Sequence, residues 1–107
     1  MSASRLEALK AFLAKDDKDS FSRYGLAMEY VKLNQLESAL EQFAQLIRDD
    51  PGYVAAYYHM GKTLEAADRR SEARNVYQEG VTVAKGKNDH HAVSELQQAM
   101  DELQDSA

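Results

Sequence analysis

Apolar positions recur along this chain at helical spacing almost from end to end. Leu6, Leu9 and Leu13, with Ala8 and Phe12, form a first stripe over residues 4–15. Arg23, Leu26, Ala27, Tyr30 and Val31 mark a second helix over 20–33. Leu36, Ala39, Leu40, Phe43, Leu46 and Ile47 share one face of a third over 37–48. Tyr57, Met60, Gly61 and Leu64 set a fourth over 54–67. Ala73, Val76, Tyr77, Gly80 and Val81 set a fifth over 71–84, and Val93, Leu96, Met100 and Leu103 a sixth that begins near Asp89. No run alternates apolar and polar residues as a strand would.

The polar breaks carry stop and start signals. Asp19 or Ser20 can accept a hydrogen bond from a free backbone N–H and open the second helix. Asn34-Gln35 turns the chain. Asp50-Pro51-Gly52 ends the third helix, because proline cannot continue one and the residue before it avoids helical backbone. Asp68-Arg69-Arg70 turns again with Ser71 as the expected cap, and residues 85–89 read as a loop. The last helix has a single narrow apolar stripe, with Glu95, Gln97, Gln98, Asp101 and Glu102 elsewhere. That is what an array needs where nothing stacks beyond it.

Two of these helix pairs match in role at an offset of 34 residues. Tyr24-Gly25-Leu26-Ala27 precedes Tyr58-His59-Met60-Gly61 by that interval, as do Ala39 before Ala73, Phe43 before Tyr77 and Asp16 before Asp50. A fixed period of this length signals a helical repeat array.

On these residues the chain resembles the tetratricopeptide repeat. The family's small residue in the first helix is matched by Ala27 and Gly61, and the apolar residue before it by Leu26 and Met60. The large residue three further on is matched by Tyr30 and Leu64. The alanine opening the second helix is matched by Ala39 and Ala73, its aromatic by Phe43 and Tyr77, and the closing proline by Pro51. Arg23 stands at the early tryptophan-like position in the first unit, where the second has Tyr57, and Lys85 replaces the second closing proline. The expected fold is therefore all-α: a right-handed solenoid of antiparallel helix pairs with about six helices. It forms one domain over 1–107, with a half-repeat helix at 4–15, repeats at 20–53 and 54–87, and a capping helix at 89–104.

Charge and composition narrow the function. The balance is acidic, 18 Asp/Glu against 13 Lys/Arg, and no basic cluster offers a phosphate-neutralising face, so nucleic acid is not an expected partner. There is no cysteine, hence neither a disulfide nor a thiolate metal site. The start of the chain has no apolar core of a secretory signal, and no stretch reaches membrane-spanning length. These features predict a cytoplasmic protein away from membranes.

His59, His90 and His91 lack metal-ligand spacing, the glycines form no phosphate loop, and no nucleophile–base set stands out. We therefore expect no enzyme activity, no metal and no cofactor.

The resemblance implies a binding module whose first helices line a concave groove. Its ligand-facing positions fall on Phe21, Tyr24, Met28, Val31 and Lys32, then on Ala55, Tyr58, Lys62, Glu65 and Ala66. Phe21, Tyr24, Met28, Tyr58, Lys62 and Glu65 are the strongest candidates, since aromatics and Met give large contact area. Family members that clamp the terminal carboxylates of chaperones use a lysine and an asparagine where this chain has Tyr24 and Met28. The expected target is instead a protein or peptide segment with an apolar anchor, and with an acidic group meeting Lys62. Self-association through an incomplete terminal repeat is the alternative.

Overall fold

The structure, a computed structural model, describes residues 2–105. Six helices follow in order: α1 (Ser2–Lys15), α2 (Ser20–Lys32), α3 (Leu36–Asp49), α4 (Val54–Ala66), α5 (Arg70–Gly86) and α6 (His90–Asp105). Each packs on the next, and α6 also reaches back to α4, within an envelope of 39 × 29 × 20 Å. This is an all-α solenoid, in which helix pairs contact only near neighbours. Among the described residues no helix is long and apolar enough to cross a membrane.

The helix ends follow local chemistry. Asp19 caps α2 by accepting hydrogen bonds from the Ser22 N–H and hydroxyl at 3.2 and 2.8 Å. Those bonds hold its carboxyl below the usual carboxylate range. Asn34, Asp68 and Asn88 each leave their helix with φ near +60° (58°, 61° and 57°). Asn and Asp tolerate this left-handed backbone better than other side-chain-bearing residues. After each of them the next N–H reaches back to a carbonyl five residues earlier: Gln35 to Tyr30, Arg69 to Leu64 and Asp89 to Ala84, at 2.8–2.9 Å. These closures satisfy carbonyls that the helices leave open.

Two expectations fail here. Ser71 does not cap α5. The helix opens one residue earlier behind Arg69, whose guanidinium pairs with Glu72 at 2.7 Å. Nor does α5 stop at Ala84, since Lys85 and Gly86 stay helical until the left-handed turn at Asn88. At 17 residues α5 is longer than the 14 of α3, and α6 begins correspondingly later in the period.

The core runs through three connected clusters. Phe43, Leu46, Leu64, Tyr77 and Leu96 are fully buried, each contributing roughly 1.5–3 kcal/mol of hydrophobic stabilisation. Glycine permits the closest approaches. A Cβ on Gly80 would lie 2.7 Å from the Cβ of Tyr57, so α5 reaches α4 only because none is there. The Tyr57 hydroxyl then donates to the Pro51 carbonyl at 2.6 Å, fixing the turn that ends the first pair to the start of the second. Asp50 accepts from Ser20 at 2.7 Å and Asp49 from Lys18 at 3.1 Å, so these carboxylates join successive loops.

The first helix departs from its expected stripe. Leu9 and Leu13 are buried against Leu26, whereas Phe12 is 59% exposed and Ala8 faces out. Phe12 stands 34 residues before Leu46, which is 1% exposed. The partner α2 gives to Leu46 has no counterpart over Phe12 among the described residues.

Candidate functional site

The most buried side of each first helix, Leu26 and Ala27 on α2 and Tyr57 and Leu64 on α4, packs into the core, and the positions expected to line a groove lie on the face beside it. On α2 this face carries Phe21, Tyr24 and Met28; on α4 it carries Tyr58, Lys62 and Glu65. Phe21 is 73% exposed. Tyr24 and Met28 are half-buried and packed partly on the Phe43 cluster, so they serve the core as well as the surface. Tyr24 meets Phe43 edge-on with ring centres 6.5 Å apart and lies 5.4 Å from Tyr53.

His59 connects the two halves. Its ring stands edge-on to Tyr24 at 5.7 Å and to Tyr58 at 5.2 Å, giving a continuous aromatic floor from α2 to α4. Burial pushes the imidazole below its ordinary value, against a weaker opposing pull from the Glu95 carboxylate. Burial likewise pushes the Tyr24 and Tyr53 hydroxyls up.

Beyond this floor the charged residues converge. The Lys62 ammonium sits 5.6 Å from the centre of the Tyr58 ring and 3.9 Å from both Glu65 and Glu102. Glu65 accepts a hydrogen bond from the Tyr77 hydroxyl, and burial, followed by that bond, pushes the Tyr77 phenol well above the usual range. Lys62 is thus not a free charge awaiting an acidic ligand, because two carboxylates of this chain already face it.

A cavity of about 150 Å³ opens between α4 and α6, lined by Val54, Ala55, Tyr58, Ala92, Glu95 and Leu96 among others. A second, of about 170 Å³, continues along Tyr58, Glu95, Gln98 and Glu102. At the loop end the first shares Val54, Ala55 and Asp89 with a wide depression of about 600 Å³ beside Tyr53 and Lys87.

Of the expected site residues, the structure links Tyr24 to Tyr58 through His59, and Tyr58 to Glu65 through Lys62, while Phe21 is exposed and Met28 packs on the Phe43 cluster. It adds His59, Tyr53, Glu95, Gln98 and Glu102, which sequence reasoning missed. The signal for the α6 residues is an offset of 36, not 34. Ala56 and Thr63 are buried on α4, and Ala92 and Ala99, each 36 residues later, are buried on α6. In the same register Gln98 follows Lys62. The last helix therefore occupies the place of a third first helix, and its Glu95, Gln98 and Glu102 line the cavity beside Tyr58. Among the described residues no three His, Asp or Glu side chains are placed to hold a metal ion.

Comparison with known proteins agrees with this fold. A family model for the TPR repeat matches residues 27–67. A TPR repeat-containing protein of Pseudomonas aeruginosa is 30% identical over 91 residues, covering 85% of this chain and 87% of the relative. The solution structure of a tetratricopeptide repeat domain protein from Salinibacter ruber is 40% identical, with a TM-score of 0.78 over 82% of this chain and 89% of that one. The TPR2B domain of yeast Sti1, solved in complex with pHsp70, has the same fold at 18% identity, with a TM-score of 0.88 over 95% of this chain and 82% of that one. On its repeat pattern, its helix packing and these relatives, the chain belongs to the tetratricopeptide-repeat family.

Proposed function

We propose that this chain is a protein-interaction module, an adaptor or scaffold that takes a peptide or partner segment in the groove of α2, α4 and α6. The observation that carries the reading is the aromatic floor of Tyr24, His59 and Tyr58, bordered by the exposed ring of Phe21. Rigid aromatic surface of this kind anchors interfaces, since it offers contact area with few torsions to immobilise. The complex of the Sti1 TPR2B domain with pHsp70 supports the reading at the level of the fold. The groove offers shape, apolar area and fixed charge, and no bond-making step is part of the proposed role.

Peptide-phage selection on the wild-type chain, counter-selected with the Phe21→Ala/Tyr58→Ala variant, tests it. A consensus enriched on the wild type and lost on the helical, folded variant is the expected result. No enrichment, or enrichment equal on both, would overturn it.

One observation favours a second reading. Phe12 is exposed where the period places the buried Leu46, so α1 presents an apolar edge that a second copy could cover. Sedimentation velocity over a concentration series tests this edge. Association abolished by Phe12→Glu supports it, and a strict monomer removes it.

A further inference from the structure

We infer that the segment bound in this groove is basic: it places an Arg or Lys over the α4–α6 cavity, its aliphatic stem on the apolar wall and its cation against Glu95. The inference rests on the groove reading above and adds the chemistry of the occupant.

The argument begins with the local charge. Glu65, Glu95 and Glu102 face the Tyr58 end of the groove, and Lys62 is the ammonium set among them. Lys62 lies 3.9 Å from Glu65 and from Glu102, which leaves Glu95 outside that cluster. The partner of Glu95 is His91 at 3.7 Å, 84% exposed, which offsets the carboxylate only when protonated. His59, on the aromatic floor, is held toward its neutral form by burial. Even with His91 charged, Glu65, Glu95 and Glu102 outnumber Lys62 and His91 at this end of the groove.

The cavity shape selects the same ligand. Val54, Ala55, Ala92 and Leu96 give an aliphatic wall, and Tyr58 gives an aromatic one, with Glu95 lining the same space. Long basic side chains match such a site because they bury their methylenes while the head stays at the polar rim. The Tyr58 ring already has Lys62 at 5.6 Å, so it sits in a setting suited to cations. An acidic segment would meet three carboxylates here and would have to displace Lys62 from two of them. This reverses the expectation drawn from Lys62 alone.

Fluorescence polarisation with two labelled, acetylated and amidated peptide libraries tests the inference. The libraries share randomised apolar positions and differ in a fixed central residue, Arg in one and Glu in the other. At low salt and a pH where imidazoles are neutral, the Arg library is expected to bind roughly fivefold to tenfold more tightly. That preference should shrink as salt rises. Glu95→Gln should remove most of it, and Glu95→Lys should turn it toward the Glu library while leaving helicity intact.

Equal binding of both libraries, or preference for Glu, overturns the basic-segment inference and leaves the groove reading standing. Binding of neither overturns both. A preference for Arg that survives Glu95→Gln and Glu95→Lys unchanged also overturns it, because the cation then sits elsewhere.

Discussion

Tyr77 lies in the space that Gly61 leaves. A Cβ built on Gly61 would come within 2.6 Å of Tyr77 Cδ1 and Cζ and closer still to Cε1. The wholly buried ring of α5 is thus seated against bare backbone of α4. Gly61→Ala gains about 1 kcal/mol of helix propensity, but it forces a packed aromatic to move, at a cost of about 1–3 kcal/mol or more. We expect a net loss of about 1–2 kcal/mol in urea unfolding, largely recovered when Tyr77→Leu is added. Gly25→Ala is the control. Its Cβ would meet the flexible tips of Leu9 at 3.2 Å and Arg5 at 3.8 Å, and the variant should be neutral or slightly stabilised.

The Tyr77–Glu65 hydrogen bond makes an alkaline prediction. The phenol is raised above its unfolded value of about 10. The stability it contributes is therefore complete below about pH 10 and is lost as pH climbs toward the folded value. Tyr24, Tyr53 and Tyr57, raised by burial, add to the same loss. Tyr77→Phe should cost about 1 kcal/mol near pH 8, and the gap to wild type should close by about pH 11. Urea titrations at the two pH values measure it.

His59 gives the opposite sign. Burial lowers its folded value, so its contribution is present above the unfolded value of about 6.5 and is lost as pH falls through the folded one. Tyr24, Tyr58 and Glu95 are the groups that face it. Thermal melts should show wild-type stability falling between about pH 7 and pH 5, with a shallower fall in His59→Gln.

Glu29 is 2% exposed beneath the α1–α2 contact, 3.4 Å from Arg5 and 3.8 Å from Lys32, and its Oε1 has no hydrogen-bond partner among the described residues. The corresponding residue on α4 is Thr63, also buried. A buried carboxylate with incomplete bonding is weakly stabilising at best, whereas stripping its cation leaves the desolvation cost uncompensated. We expect Glu29→Met to be neutral or stabilising by about 1 kcal/mol and Arg5→Ala to be destabilising by about 1 kcal/mol. The double variant should lack the Arg5→Ala penalty, which a double-mutant cycle reads directly.

The repeat itself was legible in the sequence because close packing restricts residue type. Small Ala27 and Gly61, and large Phe43 and Tyr77, recur wherever two helices must meet in the same way. Asp50-Pro51-Gly52 and Asn34 marked their turns because proline and left-handed backbone restrict residue type too. The polar face of α6 was not legible, since Glu95, Gln98 and Glu102 read equally well as solvated positions. Their side of the helix depends on the extra length of α5, which Lys85 and Gly86 hid by resembling a loop. The pairing of Lys62 with Glu102 was out of reach for the same reason: it joins helices whose register sequence spacing alone left open.

The uncovered ring of Phe12 has a consequence for how the molecule loses its structure. An array held by neighbour contacts comes apart from its weaker end. α6 secures itself with Ala92, Leu96, Ala99 and Leu103, all buried, whereas α1 has Leu9 and Leu13 against a single neighbouring helix. Amide exchange should therefore be fastest in α1 and slowest across α4 and α5. The opening of α1 would bare Glu29 and Leu26 while leaving the Tyr58–Glu95 end of the groove intact. On the proposed reading, unravelling and recognition occupy opposite ends of one short molecule, and the chain frays without releasing a bound segment.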